Sequence, residues 1–338
     1  VTISQSDSSD SGGNAASVSV VICTYTLERY DDLRAAVSSV EAQTVEVKEI
    51  IVAVDRNPEL LDRIRSELPS VTAVGNRHHA GAGGARNSGV EMSSGEVLVF
   101  MDDDVVAERD WLERLLPALS DPSILGGGGT IDPAWATERP KWFPDEFDWV
   151  VGCTYRGMPT EVANVRNVIS ANMAVKREVF ELTGGFRSDF GKQGDVSEPE
   201  ETEFCIRALE RHPGANWVFV PGATVHHRVT PERETWRYFL ARCKNEGTGK
   251  ASMAGHVQSS GVALETERRY VRRVLPMGVI RGLGEAIHGD INGLRRAAAI
   301  TIGFSMTALS YLSGRTSQLI AARARVRPAP AIPPLPEE

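Results

Sequence analysis

The chain has 338 residues, 41% of them hydrophobic and 24% charged, which excludes wholesale disorder and a fibrous architecture. Asp and Glu number 45 against 37 Lys and Arg, a net charge of −8, so nucleic acid is not an expected partner: neutralising its phosphates needs a basic surplus. The length allows one large domain or two smaller ones, each with a sizeable core.

Residues 1–17 are rich in Ser, Asp and Gly and read as a disordered arm. Residues 18–23, V-S-V-V-I-C, predict a buried strand. Asp32 is expected to cap the next helix, in which Leu33, Ala36, Val37 and Val40 recur at helical spacing. A second strand covers 49–54 and ends at Asp55, Pro58 opens another helix, and 71–74 form a short strand. A Gly-rich turn at 81–84 leads into a helix over 85–92. The apolar strand 96–101 then runs into Asp102, Asp103 and Asp104, and a helix covers 111–119. Strands alternating with helices predict a parallel sheet covered on both faces, whose ligands bind at the carboxyl ends of the strands.

The second half is less regular. Gly126 to Gly129 read as a turn, 200–211 as a helix, and 217–220 as a strand stopped by Pro221 and Gly222. From Thr235 the pattern is mostly helical. Residues 297–313 carry no charge and fit either a packed core helix or a membrane contact, with arginines on both sides. Residues 327–338 read as a Pro-rich disordered tail. The four cysteines, Cys23, Cys153, Cys205 and Cys243, form no C-x-x-C pair and are expected to be small buried hydrophobes in a reducing compartment. No basic segment followed by an apolar run opens the chain, so cytoplasmic synthesis without export is expected.

Three adjacent carboxylates at a strand end repel one another and suit a hard divalent cation, Mg²⁺ or Mn²⁺; a solvated acidic loop is the plainer reading. Asp55 is placed to accept from a base or ribose, and Tyr25 to stack on a base, though Asp after a strand is also ordinary turn chemistry. The glycines near Arg86 do not make a dinucleotide fingerprint, because that motif belongs to the first strand–helix turn. A helix N-terminus with Arg86 facing phosphate is the alternative. Glu198, Glu200, Glu201 and Glu203 crowd one helix start, where one carboxylate could act as a general base. His226 and His227 are read as a metal ligand or as satisfied buried imidazoles.

In order, V-S-V-V-I-C-T-Y, I-I-V-A-V-D, G-G-A-R-N-S-G, V-L-V-F-M-D-D-D, G-G-F, P-E-E-T-E-F-C-I-R-A and V-H-H-R-V resemble the family 2 glycosyltransferases, inverting enzymes of the GT-A fold. The resemblance covers residues 18–229, and K-N-E-G-T-G-K-A near the start of the helical region looks like extensions of actinobacterial-type members. It implies an α/β catalytic domain over 18–232, with a Rossmann-like, mostly parallel sheet, and a helical extension over 233–326. It implies a hexosyl transfer from a nucleoside diphosphate sugar, most often a UDP-sugar, to an acceptor hydroxyl, with Mn²⁺ or Mg²⁺ on the diphosphate. Thr24, Tyr25, Glu28, Asp55 and Arg86 would line the nucleotide and donor pocket, with Asp102 and Asp103 on ribose or sugar. Asp104 and His227, with His226 as rival, would hold the metal. Glu201 would be the base, with Glu200 as rival, since a Glu-Glu pair stands where the family has Glu-Asp. Asn172, Gly185, Phe186 and Trp217 would shape the sugar and acceptor cleft. The acceptor is a glycan, a lipid-linked molecule or a small molecule; peripheral contact with the inner membrane face and a homodimer are the further partner expectations. A nucleotidyltransferase is the competing enzyme, but it needs a Gly-rich basic loop after the first strand, where T-Y-T-L-E stands. An inactive nucleotide-sugar-binding protein would have lost the acidic motifs, which are present.

Overall fold

The computed structural model describes residues 16–187, 192–193, 196–197, 200–256 and 265–325. The expected arm, apart from its last two residues, the expected tail and Glu198 lie outside these. The first half runs β1 (Val18–Thr24), α1 (Tyr30–Glu41), β2 (Glu49–Val54), α2 (Pro58–Glu67), β3 (Thr72–Gly75), α3 (Ala82–Glu91), β4 (Val97–Asp102), β5 (Val105–Ala107) and α4 (Trp111–Leu115). Then come β6 (Ile124–Trp135), β7 (Ala163–Val165), β8 (Met173–Lys176), α5 (Arg177–Thr183), the short pair β9 (Lys192–Gln193) and β10 (Val196–Ser197), α6 (Glu200–Arg211) and β11 (Asn216–Val229). The chain ends in helices α7 (Trp236–His256), α8 (Glu265–Arg269), α9 (Leu275–Ile287) and α10 (Asn292–Arg325), with a π-helical turn at Tyr270–Val274 joining α8 to α9.

The main sheet has the order β3-β2-β1-β4-β8-β6-β11-β5, with β7 also on β11. The sheet is mixed rather than mostly parallel. β1 pairs in parallel with β2 and β4, and β2 with β3, but β8 enters antiparallel between β4 and β6. Side chains alternate across it as the strand period requires. Val20 and Ile22 face α1 and α2 in one core; Val21 and Cys23 face α3, α5 and α6 in the other. This two-sided burial explains why the first strands are near-continuous apolar runs without polar alternation.

The run Gly126 to Gly129 lies inside β6, not in a turn. A Cβ on Gly129 would stand 1.9 Å from the Ala223 carbonyl oxygen, and one on Gly126 2.3 Å from that of Ala174. The glycines are there because neighbouring strands approach too closely for side chains. Nor does Pro221-Gly222 stop β11: the strand bulges between Val220 and Val225 and continues, which carries His226 and His227 to the site. Asp32 sits inside the first turn of α1 and pairs with Arg228 instead of capping the helix.

The expected boundary near 232 falls in the turn Pro231–Glu234 between β11 and α7. The helices beyond it share the main core. Phe239, Cys243, Leu275 and Ile300 belong to the same apolar cluster as β1 and α1, and Phe239 packs on Phe143 and Phe147. All four cysteines are buried and free.

Candidate active site

The carboxyl ends of β1, β2 and β4 are in register: Thr24 pairs with Val54 and Cys23 with Asp102. Asp55 continues from β2, its amide donating to the Thr24 carbonyl at 2.8 Å. The Asp55 carboxylate is oriented by Asn76 Nδ2 at 2.7 Å on one oxygen and the Gly81 amide at 2.8 Å on the other. A carboxylate has about four acceptor positions, so capacity remains for a further donor. Tyr25 is 56% exposed beside it, with the Arg29 guanidinium 5.4 Å from its ring centroid. Glu28 is exposed on the 3₁₀ turn Leu27–Arg29.

The three aspartates are held apart by arginines from three different segments. Asp102 takes Arg86 Nη2 at 2.9 Å. Asp103 accepts from Thr24 Oγ1 at 2.7 Å and from Arg29 Nη1 at 3.0 Å. Asp104 faces Arg29 at 3.1 Å, Arg233 at 3.5 Å and His227 Nε2 at 3.2 Å. This differential pairing resolves their repulsion. Burial carries the Asp103 carboxyl up to about 6 against its Thr24 and Arg29 bonds. Burial also opposes ionisation of Asp104, but His227, Arg29 and Arg233 together draw it down to about 2.

Adjacent residues on β11 point to opposite faces, and this separates the two histidines. His227 is buried, with Nε2 toward Asp104 and Nδ1 3.7 Å from Cys153 Sγ. His226 is turned to the other face and bonds Glu108 at 2.6 Å, so the rival ligand is engaged by Glu108 and not by the three aspartates.

Arg86 is 3% exposed and joins the two halves of the site. One nitrogen holds Asp102 and another Glu200 at 2.8 Å, with the Phe186 ring 5.6 Å from its Cζ. It is thus engaged by carboxylates rather than presented to phosphate. Burial works against its charge, and Asp102 and Glu200 more than offset that. The helix start also sorts its acids. Glu200 is tied to Arg86, and Glu203 to Arg207, whose guanidinium also grips the Gly185 carbonyl at 2.9 Å. Glu201 alone of the three has no cation on it by salt bridge among the described residues. Its carboxyl is carried well above the usual carboxylate range, first by desolvation and then by the Glu200 charge.

Four residues expected in the cleft lie behind it. Asn172 is fully buried: its amide donates to the Thr130 and Ala223 carbonyls and accepts from Trp111 Nε1 at 2.8 Å, which ties β6, β11 and α4 together. Trp217 is fully buried and donates to the Cys205 carbonyl at 3.1 Å. Phe186 packs among Phe100, Phe180 and Phe204, and Gly185 holds a left-handed φ of 71° that turns the chain under α3. Conversely, Arg29 and Arg233 are central to the site without any spacing signal; Arg29 lies 74 residues from Asp103. A histidine followed six positions later by an arginine in a turn is the one trace of Arg233.

As chemistry, the site offers an acidic wall fixed by arginines, one carboxylate–imidazole pair and two carboxylates with raised pKa, Asp103 and Glu201. Among the described residues no three His, Cys, Asp or Glu converge as a closed metal cage.

The Glycosyl transferase family 2 model matches residues 19–183. The glucosyl-dolichyl phosphate glucuronosyltransferase of Haloferax volcanii is 35% identical over 241 residues, covering 70% of this chain and 77% of that protein. The mannosyltransferase PcManGT from Pyrobaculum calidifontis, solved with GDP-Man and Mn²⁺, aligns over 93% of this chain and 87% of its own at a TM-score of 0.54 and 17% identity. GalNAc-T7, solved with UDP, GalNAc and Mn²⁺, aligns over 76% of this chain and about half of its own, 54%, at a TM-score of 0.52 and 20% identity. These likenesses show a GT-A fold. The archaeal relative gives no support to an actinobacterial type. The chain belongs to glycosyl transferase family 2 and is a glycosyltransferase.

Proposed function

We propose that the protein transfers a sugar from a nucleoside diphosphate sugar, a UDP-sugar in the first instance, to a hydroxyl of a lipid-linked acceptor, with inversion at the anomeric carbon. One observation carries this: Thr24, Asp55 and the three aspartates meet at the ends of β1, β2 and β4, and the Arg86 bridge links them to the helix start that bears Glu201. The nucleotide lies along that edge. Asp55 reads the base with its remaining acceptor capacity, and Tyr25 stacks on it.

Asp104 and His227 fit a divalent ion. A carboxylate oxygen and an imidazole nitrogen, 3.2 Å apart and facing each other, suit Mn²⁺, and such ions commonly take only one or two protein ligands beside substrate phosphates. When bound, the ion neutralises charge on the departing diphosphate. The solved neighbours described with Mn²⁺ and nucleotides support this donor set. Arg29 and Arg233, which hold Asp104 here, would be available to pair with the diphosphate oxygens once an ion takes Asp104.

Glu201 takes the proton of the acceptor hydroxyl. The hydroxyl oxygen bonds to the anomeric carbon from the face opposite the diphosphate, and the C–O bond to the diphosphate breaks with its electron pair. A raised pKa suits a general base working near neutrality. Arg86 engages Glu200 by salt bridge and so keeps it out of this role. The acceptor class is supported by the archaeal relative, a glucosyl-dolichyl phosphate glucuronosyltransferase, and by exposed apolar faces on α9 and α10, which we read as a peripheral membrane contact.

The test is transfer from a panel of nucleotide sugars with Mn²⁺, run on the wild type and Glu201→Gln. The variant is expected to bind donor with unchanged affinity and to lose at least about 10²-fold in kcat. Wild-type turnover by Glu201→Gln, or no turnover of any donor by the wild type, overturns the reading.

A further inference from the structure

The motif K-N-E-G-T-G-K-A on α7 is only half explained by packing. Gly247 is required because α10 passes so close that a Cβ would lie 2.3 Å from the Thr307 carbonyl oxygen. Glu246 and Lys250 are left over. Lys250 Nζ lies 2.9 Å from Glu267 and 3.2 Å from Glu246. Arg166, in the loop after β7, grips the same Glu267 carboxylate with both terminal nitrogens, at 2.8 and 3.0 Å. An arginine fork and a lysine point charge thus converge on one pair of oxygens.

This cluster borders the proposed base. Asn167, next to Arg166, bonds Thr202, next to Glu201, at 3.3 Å, and the Glu246 charge acts on Glu201. Its residues come from α7, α8 and the loop after β7, none of which carries the aspartates. Solvent reaches it from the lysine side: Lys250, Glu246 and Glu267 retain 26%, 29% and 21% of their side-chain exposure, while Arg166 behind them retains 9%. Glu267 holds both cations and Glu246 reaches only Lys250, and a partly buried ion network of this kind is a poor route to stability, since desolvation offsets most of the attraction. The same two cations match a phosphate group.

We propose that Arg166 and Lys250 form a subsite for a phosphate group carried by the acceptor, and that the Glu267 carboxylate occupies this subsite until the acceptor arrives. This deepens the proposed function and rests on Glu201 as the base: the acceptor is held by its phosphate while its hydroxyl faces Glu201. Glu267 acts as an internal competitor. It keeps the two cations paired and positioned, and it excludes ligands too weakly charged to displace it.

Calorimetry of the full chain with inorganic phosphate and with dodecyl phosphate tests this, the two probes distinguishing a free phosphate from a lipid-borne one. Glu267→Gln is expected to tighten phosphate binding about tenfold, since it removes the competitor. Lys250→Gln and Arg166→Gln are expected to weaken it at least about tenfold, and Lys250→Arg to restore it. Glu267→Asp, which keeps the charge on a shorter stem, gives a smaller gain and serves if the Gln variant does not fold. Unchanged or weaker binding in both Glu267 variants overturns the proposal, as does wild-type affinity in Lys250→Gln. Phosphate binding lost in Asp104→Ala but kept in Lys250→Gln would assign it to the donor edge and overturn the proposal too. Failure of the donor reading shows differently, as absence of nucleotide-sugar turnover with this phosphate binding intact.

Discussion

Asp104 and Glu201 are two carboxylates driven in opposite directions by their surroundings, which is what the proposed reading, a cation ligand and a base in one site, requires. Asp104 is drawn down to about 2 by His227, Arg29 and Arg233 against burial, so it is ionised at every working pH. Asp104→Ala is therefore expected to lower Mn²⁺-dependent affinity for a nucleoside diphosphate about 100-fold, roughly 2.7 kcal/mol. Calorimetry with and without Mn²⁺ measures it, and equal affinity in both variants counts against the assignment. Glu201 is raised by desolvation and by Glu200, so its neutral form persists above the usual glutamate value of about 4.3. A base must be ionised to work. The acid limb of kcat/KM is thus expected to rise well above that value, and a profile already flat there speaks against Glu201. The sign for stability is the reverse: the raised folded-state pKa favours the protonated fold, so this contribution is lost as pH rises through that pKa. At this scale the strand-end acids were legible in sequence because Asp at the end of an apolar run is conspicuous. Asn172 and Trp217 were not: a polar or aromatic residue in the core looks the same in sequence as one in a cleft, and only its hydrogen bonds distinguish them.

β6 and β11 place His227, and their contact depends on glycine. Strand neighbours lie about 4.8 Å apart, and here the Ala223 carbonyl of the bulge presses where a Gly129 side chain would be. Gly129→Ala must push the strands apart or distort the bulge. The expected cost is about 1–3 kcal/mol, seen as a lowered Tm, and His227 should shift enough to weaken Mn²⁺-dependent nucleotide binding. An unchanged Tm would mean that the bulge adapts freely. The parallel strands β1, β2 and β4 were legible from their apolar runs and the helices between them. The β6 and β11 half was not. A four-glycine run reads as a turn by local propensity, and Pro-Gly reads as a strand end, whereas the sheet uses the first for close approach and the second for a bulge. Local signals failed where a distant strand decided the conformation.

Charge is segregated across the molecule: within a chain of net charge −8, residues 265–325 hold ten arginines against four carboxylates. The same region leaves Met277, Ile280, Leu283 and Ile287 of α9 exposed, Ile287 by 84%. Ile291 just before α10, and Leu294, Ile302, Leu309 and Leu312 on it, are exposed as well. The stretch Asn292–Gln318 is long and apolar enough to cross a bilayer by length and composition. Its packing argues for lying on one instead. Gly303 meets Phe147 and Phe239, Thr307 Oγ1 bonds the Cys243 carbonyl at 3.1 Å, and Gly314 meets Ala251, so α10 is fastened to the catalytic body over about half its length. Spanning would require stripping those contacts; interfacial docking uses the opposite face unchanged. Each fully buried aliphatic side chain contributes about 1.5–3 kcal/mol, and each arginine near an anionic surface about 1 kcal/mol. On those magnitudes, several such side chains with the exposed Arg268, Arg269, Arg272 and Arg273 would suffice for the proposed reversible attachment. The full chain is therefore expected to float with phosphatidylglycerol vesicles, less with phosphatidylcholine, and to be partly released by salt. Ile287→Asp with Leu309→Asp should abolish flotation without changing transfer to a water-soluble acceptor. If the wild type stays at the bottom of the gradient and is dimeric by light scattering, the apolar faces are a subunit contact, and the membrane reading is wrong.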